Sequence, residues 1–389
     1  MNLLLRSGLA ISTRRVIYLV TTLGHGGTER NLVQFCKTVD PLKYEIEVWY
    51  LYETEKSYLS QLQELNIKLK HLNSPNGFRP GFLWSVARKL NKAQADLVHV
   101  FLPTVAYYAI ASRVLFRSRK PMLFSSGGFG MYLPLQRQMM KYGIGRYCYP
   151  IICNSQAVVE FWRDELGVDS RRLRLISNGH EISRFQAEFD RSETRKNNDL
   201  DPDSLVVTTV GRMLDSKRHV DMIEAFSRVR KEYPNAVFQI IGDGDLAPYQ
   251  QQVDELGITQ SVRFLGHRND VVELLRASDM FLFGTELEGL PNALIEAALS
   301  RLPIVSTNIG PVKAVVENEK SALLVDTRRP DLLAKSMLRL VREKDFARQL
   351  AAAAFEVAVQ KFDIRNTVNE LYVAYDDAML GFRKATAIK

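Results

Sequence analysis

Short hydrophobic runs recur along the chain, each followed by a glycine or polar loop and then by a stretch of helical period. The first, 15–21 (RVIYLVT), is β-branched and apolar at successive positions, the pattern of a strand buried on both faces. A glycine loop at 23–30 (LGHGGTER) and an amphipathic run at 31–39 follow directly, so the chain opens as strand, glycine loop, helix. Further strands are expected at 44–51, 68–72, 97–101, 122–125, 149–154 and 173–176, with helices at 82–94, 104–116 and 156–166. The polar run 183–204 (SRFQAEFDRSETRKNNDLDPDS) breaks the rhythm and reads as a linker. The pattern then restarts, with strands at 205–210, 237–241, 262–265, 280–283 and 304–306. Helices are expected at 220–233, 292–299 and 330–360, and a last amphipathic one at 364–383 carries Tyr372, Tyr375 and Phe382.

Two tandem runs of alternating strand and helix predict an α/β fold of two doubly wound, Rossmann-like domains. The expected boundaries are 1–182, a linker at 183–204, a second domain at 205–363 and a closing helix at 364–389. Sheets of this kind bind ligands beyond the carboxyl ends of their strands, which places the expected site in a cleft between the domains.

Composition changes this picture little. A chain of 389 residues with 46% apolar and 25% charged content can bury two cores. Cys36, Cys148 and Cys153 lack metal-ligand spacing and suit a reducing compartment without disulfides. Residues 1–15 are too short and too interrupted by Arg6 to span a bilayer, and they lack a signal-peptide core. A cytoplasmic protein is expected.

Charge changes the picture more. The net charge is +8, yet residues 1–190 carry +10 and residues 191–389 carry −2. The stretch 97–159 has no acidic residue and holds Arg113, Arg117, Arg119, Lys120, Arg137, Lys141 and Arg146. Aromatic residues are interleaved with them, among them Tyr107, Phe116, Phe129, Tyr142 and Tyr147. Such a stretch is either a solvated basic face or a surface for anionic lipid headgroups or a pyrophosphate-bearing acceptor. The second alternative makes the protein peripheral on the inner face of the cell membrane. No nucleic-acid-binding module accompanies the charge, so no nucleic-acid partner is expected.

The chemistry concentrates in 281–298 (FLFGTELEGLPNALIEAA). An apolar strand ends in a tight loop, and a helix starts just beyond Pro291, a residue whose missing N–H costs nothing in a first turn. A helix start offers open amides and the positive end of a dipole to a phosphate. Glu288 and Glu296 flank it, which suits a ligand with hydroxyls on either side of a phosphate, such as a nucleotide sugar. The amides of Gly289, Leu290, Asn292 and Ala293 are candidates for its sugar and phosphates. Arg212 and Lys217 leave the first strand of the second half and pair a planar fork with a mobile point charge, a set suited to a diphosphate. Gly26 and Gly27 let backbone approach phosphates closely. A dinucleotide fingerprint is excluded, because the G-x-G-x-x-G spacing is not met and no acidic residue ends the strand at Leu51.

The string from Glu288 to Glu296 resembles the E-x(7)-E signature of glycosyltransferase family 4, retaining enzymes with the GT-B fold, and the resemblance runs from about residue 15 to 380. It implies a UDP-sugar as donor and a hydroxyl of a glycan or lipid-linked molecule as acceptor, in surface polysaccharide or glycolipid synthesis. In such enzymes attack comes from the face of the leaving phosphate, which takes the acceptor proton. Arg212 and Lys217 would then neutralise the departing diphosphate, Glu288 would face the donor sugar, and Glu296 would bind the ribose hydroxyls. The catalytic set is Arg212, Lys217 and Glu288. The resemblance also implies no cofactor and no metal, with Asp243 and Asp245 read as a turn and helix cap. The closing helix would return to the first domain. His99, at the end of its strand, is a candidate for the acceptor or donor sugar. The pattern breaks at 125–130 (SSGGFG), where the family often has a histidine. The alternative is a nucleotide-sugar 2-epimerase or hydrolase on the same fold, against which the acid-free stretch argues.

Overall fold

The computed structural model describes residues 13–387 except 25, 56, 76, 78 and 129–131, with side chains to 381. The readings made of residues 1–12, Phe129 and the side chain of Phe382 lie outside the described residues.

The chain forms two compact units, one built from residues up to Gly179 together with those from Ile364 onward, the other from His180–Asp363. The first holds a parallel sheet of β1 (Arg14–Thr22), β2 (Tyr44–Tyr52), β3 (Lys68–His71), β4 (Leu97–Phe101), β5 (Met122–Ser126), β6 (Ile151–Cys153) and β7 (Leu173–Leu175). Its order is β3-β2-β1-β4-β5-β6-β7. Strand periodicity divides its core. Val16, Tyr18 and Val20 of β1 enter one hydrophobic cluster, and Ile17 and Leu19 enter another on the opposite face. The closing helix, Ile364–Ala387, belongs to the first cluster, where Val368, Leu371, Ala374 and Tyr375 pack with Tyr18 and Leu97.

The second unit repeats the plan with β8 (Val206–Val210), β9 (Val237–Ile241), β10 (Val262–Gly266), β11 (Met280–Phe283), β12 (Ile304–Thr307) and β13 (Leu323–Val325), ordered β10-β9-β8-β11-β12-β13. In both units the winding reverses beside the first strand, between β1 and β4 and between β8 and β11. Doubly wound sheets bind ligands at that reversal.

Several elements differ from the sequence reading. The polar run 183–204 is not a linker. It folds into the helices Ser183–Gln186 and Arg191–Asn197 and belongs to the second unit. Arg195, only 4% exposed, fixes it there by donating to the carbonyls of Ala277, Pro202 and Ser204 and to Asp279. The stretch 330–360 breaks at Glu343 into the helices Pro330–Arg342 and Lys344–Lys361. The helix expected at 156–166 runs as Gln156–Glu160 and then loosens into a π turn, Phe161–Glu165. Among the described residues no helix is long and apolar enough to cross a membrane.

Candidate active site

Arg212 and Lys217 lie in the loop after β8, and Glu288 lies in the loop after β11, so the reversal point of the second sheet brings together residues 71 positions or more apart. The two loops are clipped by backbone. The Glu286 amide donates to the Ser216 carbonyl at 2.8 Å, and Thr285 Oγ1 donates to the same carbonyl at 3.2 Å. Thr285 is fully buried and held from behind, its amide donating to Thr307 Oγ1 at 2.9 Å. On this frame Lys217 Nζ donates to Glu288 Oε1, with side chains 19% and 11% exposed. The partly desolvated pair places a cation and an acceptor-only carboxylate side by side. Arg212 is exposed and makes no ion pair among the described residues.

The helix Asn292–Leu299 starts where expected, but Pro291 is its cap residue and not its first turn. That shift removes one predicted donor, because the Asn292 amide is engaged with the Leu290 carbonyl at 3.0 Å. The amides of Gly289, Leu290 and Ala293 donate to no group among the described residues and face the positive end of the helix dipole. Glu296 is buried to 1%, one turn into the helix, and its Oε1 lies 3.9 Å from His180 Nδ1.

Glycine shapes the first of these loops from the side. Gly242 has φ +154°, and a Cβ there would run into the carbonyl of Gly211, in a loop held to the next by Met213 N–H donating to the Asp243 carbonyl at 2.9 Å. We expect Gly242→Ala to destabilise the protein by about 3 kcal/mol and to weaken nucleotide binding, since the Arg212 loop must move. A thermal melt and a UDP titration on the purified variant check both effects.

In the first unit, Gly26 caps the helix Gly27–Thr38 after β1, with the Glu29 carboxylate packed against it where a Cβ on Gly26 would stand. His99 differs from expectation. It is mid-strand in β4, paired in register with Tyr18, and 0% exposed. Its ring stacks on Phe101, and Nδ1 bonds the Tyr375 hydroxyl at 2.9 Å while Nε2 bonds Ser125 Oγ at 2.7 Å. Burial pushes its pKa well below the usual range, which keeps the ring neutral. His99 therefore ties β1, β5 and the closing helix together and does not reach a ligand itself. A polar residue in a strand pattern signals an interior contact as readily as a site, and the sequence does not separate the two.

Other residues went unread. Glu286 bonds Arg328 and sits 3.7 Å from Arg218, and these cations hold its carboxyl below the ordinary range. His219, 1% exposed behind Lys217, has its pKa pushed down to about 4 by burial and then by that lysine. The run of cations 217–218 and the acid two residues before Glu288 were the only signals for this outer ring. Asp245 accepts the Ala247 amide at 3.0 Å in a turn just before the helix Ala247–Glu255, whose cap residue is Leu246.

Comparison with known proteins gives the family and the fold. The family model for glycosyltransferase family 4 matches residues 25–184, and that for glycosyl transferases group 1 matches residues 190–357. The chain belongs to the family 4 glycosyltransferases, and its two Rossmann-like units are those of the GT-B fold. It is 30% identical over 200 residues to the UDP-Gal:alpha-D-GlcNAc-diphosphoundecaprenol alpha-1,3-galactosyltransferase of Escherichia coli, covering 50% of this chain and 51% of that one. It is 28% identical over 224 residues to the lipopolysaccharide core biosynthesis glycosyltransferase LpsE of Rhizobium meliloti, covering 57% and 62%. The matched stretch thus spans little more than half the length of these relatives. Among solved structures, Anabaena Alr3699/HepE in complex with UDP and glucose superposes with a TM-score of 0.82 at 18% identity, over 94% of this chain and 100% of that one.

Proposed function

We propose that this chain is a retaining glycosyltransferase that moves a sugar from a UDP-sugar to a hydroxyl of a glycan or lipid-linked acceptor. The observation that carries the reading is the cationic, amide-lined loop pair at the reversal point of the second sheet, with Lys217 held against Glu288. The names of the relatives support the donor class and acceptor class. The epimerase alternative draws no support from them.

In this reading the bond from the sugar C1 to the phosphate oxygen breaks as a new bond forms from C1 to the acceptor oxygen. The acceptor proton passes to the leaving phosphate. Arg212, Lys217 and the amides of Gly289, Leu290 and Ala293 stabilise the charge that collects on that phosphate. These groups supply the positive field that a metal would otherwise bring, and the reaction needs neither metal nor cofactor. Glu288 accepts from donor-sugar hydroxyls and holds Lys217 in place. The Gly26–Gly27 turn lets backbone approach the donor phosphates. For Glu296, contact with the ribose needs a carboxylate oxygen uncovered that now lies beside His180. The expected result is a rise in melting temperature with UDP in EDTA-treated buffer, and a further rise with the cognate UDP-sugar. Proton NMR of the product should then show the anomeric configuration of the donor kept. An inverted product, or no response to any nucleotide, sinks the reading.

The acceptor class implies work beside a membrane, and the first unit supports a peripheral docking face. Val114, Leu115, Leu133, Leu135, Met139 and Tyr142 are all at least 41% exposed within the acid-free stretch 97–159. Apolar side chains among cations suit an anionic lipid surface. We expect the protein to sediment with vesicles containing phosphatidylglycerol and not with pure phosphatidylcholine, and to release at about 0.5 M salt. Leu135→Asp combined with Met139→Asp should abolish sedimentation, and retention of the double variant on vesicles would refute this face.

A further inference from the structure

Two arginines of the second unit stand on left-handed backbone, Arg218 at φ 49° and Arg328 at φ 59°. Any side chain other than glycine is strained in that region, so an arginine there points to a contact that holds it. Both reach the same oxygen. Arg328 donates to Glu286 Oε1 through Nε and to Oε2 through Nη2 at 3.2 Å, and Arg218 Nε lies 3.7 Å from Oε1. Arg218 is itself gripped by Asp221, in the first turn of the helix His219–Glu232, through bonds of 2.8 and 2.9 Å.

The row of charges Asp221, Arg218, Glu286, Arg328 thus joins three loops, those after β8, β11 and β13, at the carboxyl edge of the second sheet. It runs beside the backbone clip in which the Glu286 amide donates to the Ser216 carbonyl. Arg218 adjoins Lys217 in sequence, and Glu286 stands two residues before Glu288. The clasp therefore braces the backbone on which the Lys217–Glu288 pair is mounted.

The exposure of the clasp tells what it does. The Arg328 side chain is 68% exposed and that of Glu286 26%, and ion pairs so close to water add little to folding. Two strained backbones for so small a gain in stability make sense as a device of geometry, because a misplacement of about 1 Å in a site lowers a rate by about 10²-fold. We propose that Glu286 is a positioning residue for transfer: through Arg218 and Arg328 it holds the loops that carry Lys217 and Glu288 in their reacting arrangement. It acts through those two side chains and needs no contact with substrate. That the arrangement serves a reaction rests on the transferase reading; the bracing of the loops does not.

The test compares Arg328→Gly, Glu286→Ala and Glu286→Gln with the parent in the full chain. Arg328→Gly suits left-handed backbone and removes an exposed partner of Glu286. Initial rates of UDP release from a panel of UDP-sugars give kcat and KM, hydrogen–deuterium exchange follows residues 285–289, and a thermal melt reports the fold. Arg328→Gly should keep Tm within about 2 °C of the parent, speed exchange at the Glu286 amide and lower kcat about fivefold. Glu286→Ala should lower kcat about tenfold with less change in KM, and Glu286→Gln, which keeps an acceptor for Arg328, should recover part of the loss. On a Lys217→Ala background, Glu286→Ala should lower kcat no further, because its effect passes through the lysine. A residue that merely supports the fold would lower Tm and add its loss to that of Lys217→Ala. Unchanged kcat in Arg328→Gly and Glu286→Ala, additive losses in the double variant, or unaltered exchange at the Glu286 amide overturns the proposal. If the parent releases no UDP and binds none in calorimetry, the transferase reading falls instead, and the exchange comparison still decides the bracing.

Discussion

Lys217→Ala is expected to lower kcat by about 10²–10³-fold, a loss of roughly 3–4 kcal/mol of transition-state stabilisation. The lysine is already aimed, because Glu288 holds its ammonium in a site where both side chains are mostly buried. A preoriented charge in a partly desolvated loop acts on the departing phosphate without reorganising at the moment of reaction. KM for the donor should change less than kcat, since the diphosphate gathers its extra charge only as the sugar leaves. Lys217→Arg should recover little of the loss, because a planar fork cannot take the same single contact. Initial rates of UDP release against donor concentration separate the two constants. A change in kcat of less than about fivefold would remove Lys217 from the reacting centre.

The largest effect on stability is expected far from any ligand. Arg195→Ala should cost about 3–5 kcal/mol, because it strips the partner from a charge network that is largely out of water. Asp279 Oδ2 receives Arg195 at 2.7 Å and the Val206 amide at 2.8 Å, and the Ala277 and Pro202 carbonyls lose a donor as well. For a unit of this size the loss corresponds to a fall in Tm of roughly 6–20 °C. Differential scanning calorimetry should show the shift in the transition of the second unit. Arg195→Lys should recover only part of it, since one ammonium cannot reach three carbonyls and a carboxylate together. A Tm within about 2 °C of the parent would show that the 183–204 segment is held by other means.

Arg195 also shows where the sequence stops being readable. A run rich in charge reads as solvated, and nothing local reveals that one guanidinium is the plug of a buried network. Strands wrapped on both faces were legible because burial demands unbroken apolar runs, and β9, β11 and the helix Asn292–Leu299 lie at their expected residues. The three-residue β13 was missed because Leu323–Val325 is too short to show a period. Of the site, the residue types and loops were legible at Arg212, Lys217 and Glu288. Their contact was not, because the pairing of Lys217 with Glu288 is made by sheet order. His99 failed for the opposite reason. Its strand was located, but whether a strand histidine looks outward or into a tyrosine cluster is decided by the helix from Ile364, more than 260 residues later.

That helix carries a consequence for synthesis. The first unit is encoded first, yet Val368, Leu371 and Tyr375 fill one face of its sheet, and Tyr375 closes the hydrogen bond to His99. A nascent chain that has emerged only as far as Gly179 exposes a groove beside β1 and β4 that stays uncovered until the helix from Ile364 has been made. The second unit, contiguous from His180 to Asp363, has everything it needs once it leaves the ribosome. The two units are therefore expected to be completed in the reverse of the order in which their synthesis begins. The first unit waits unfinished for the helix from Ile364.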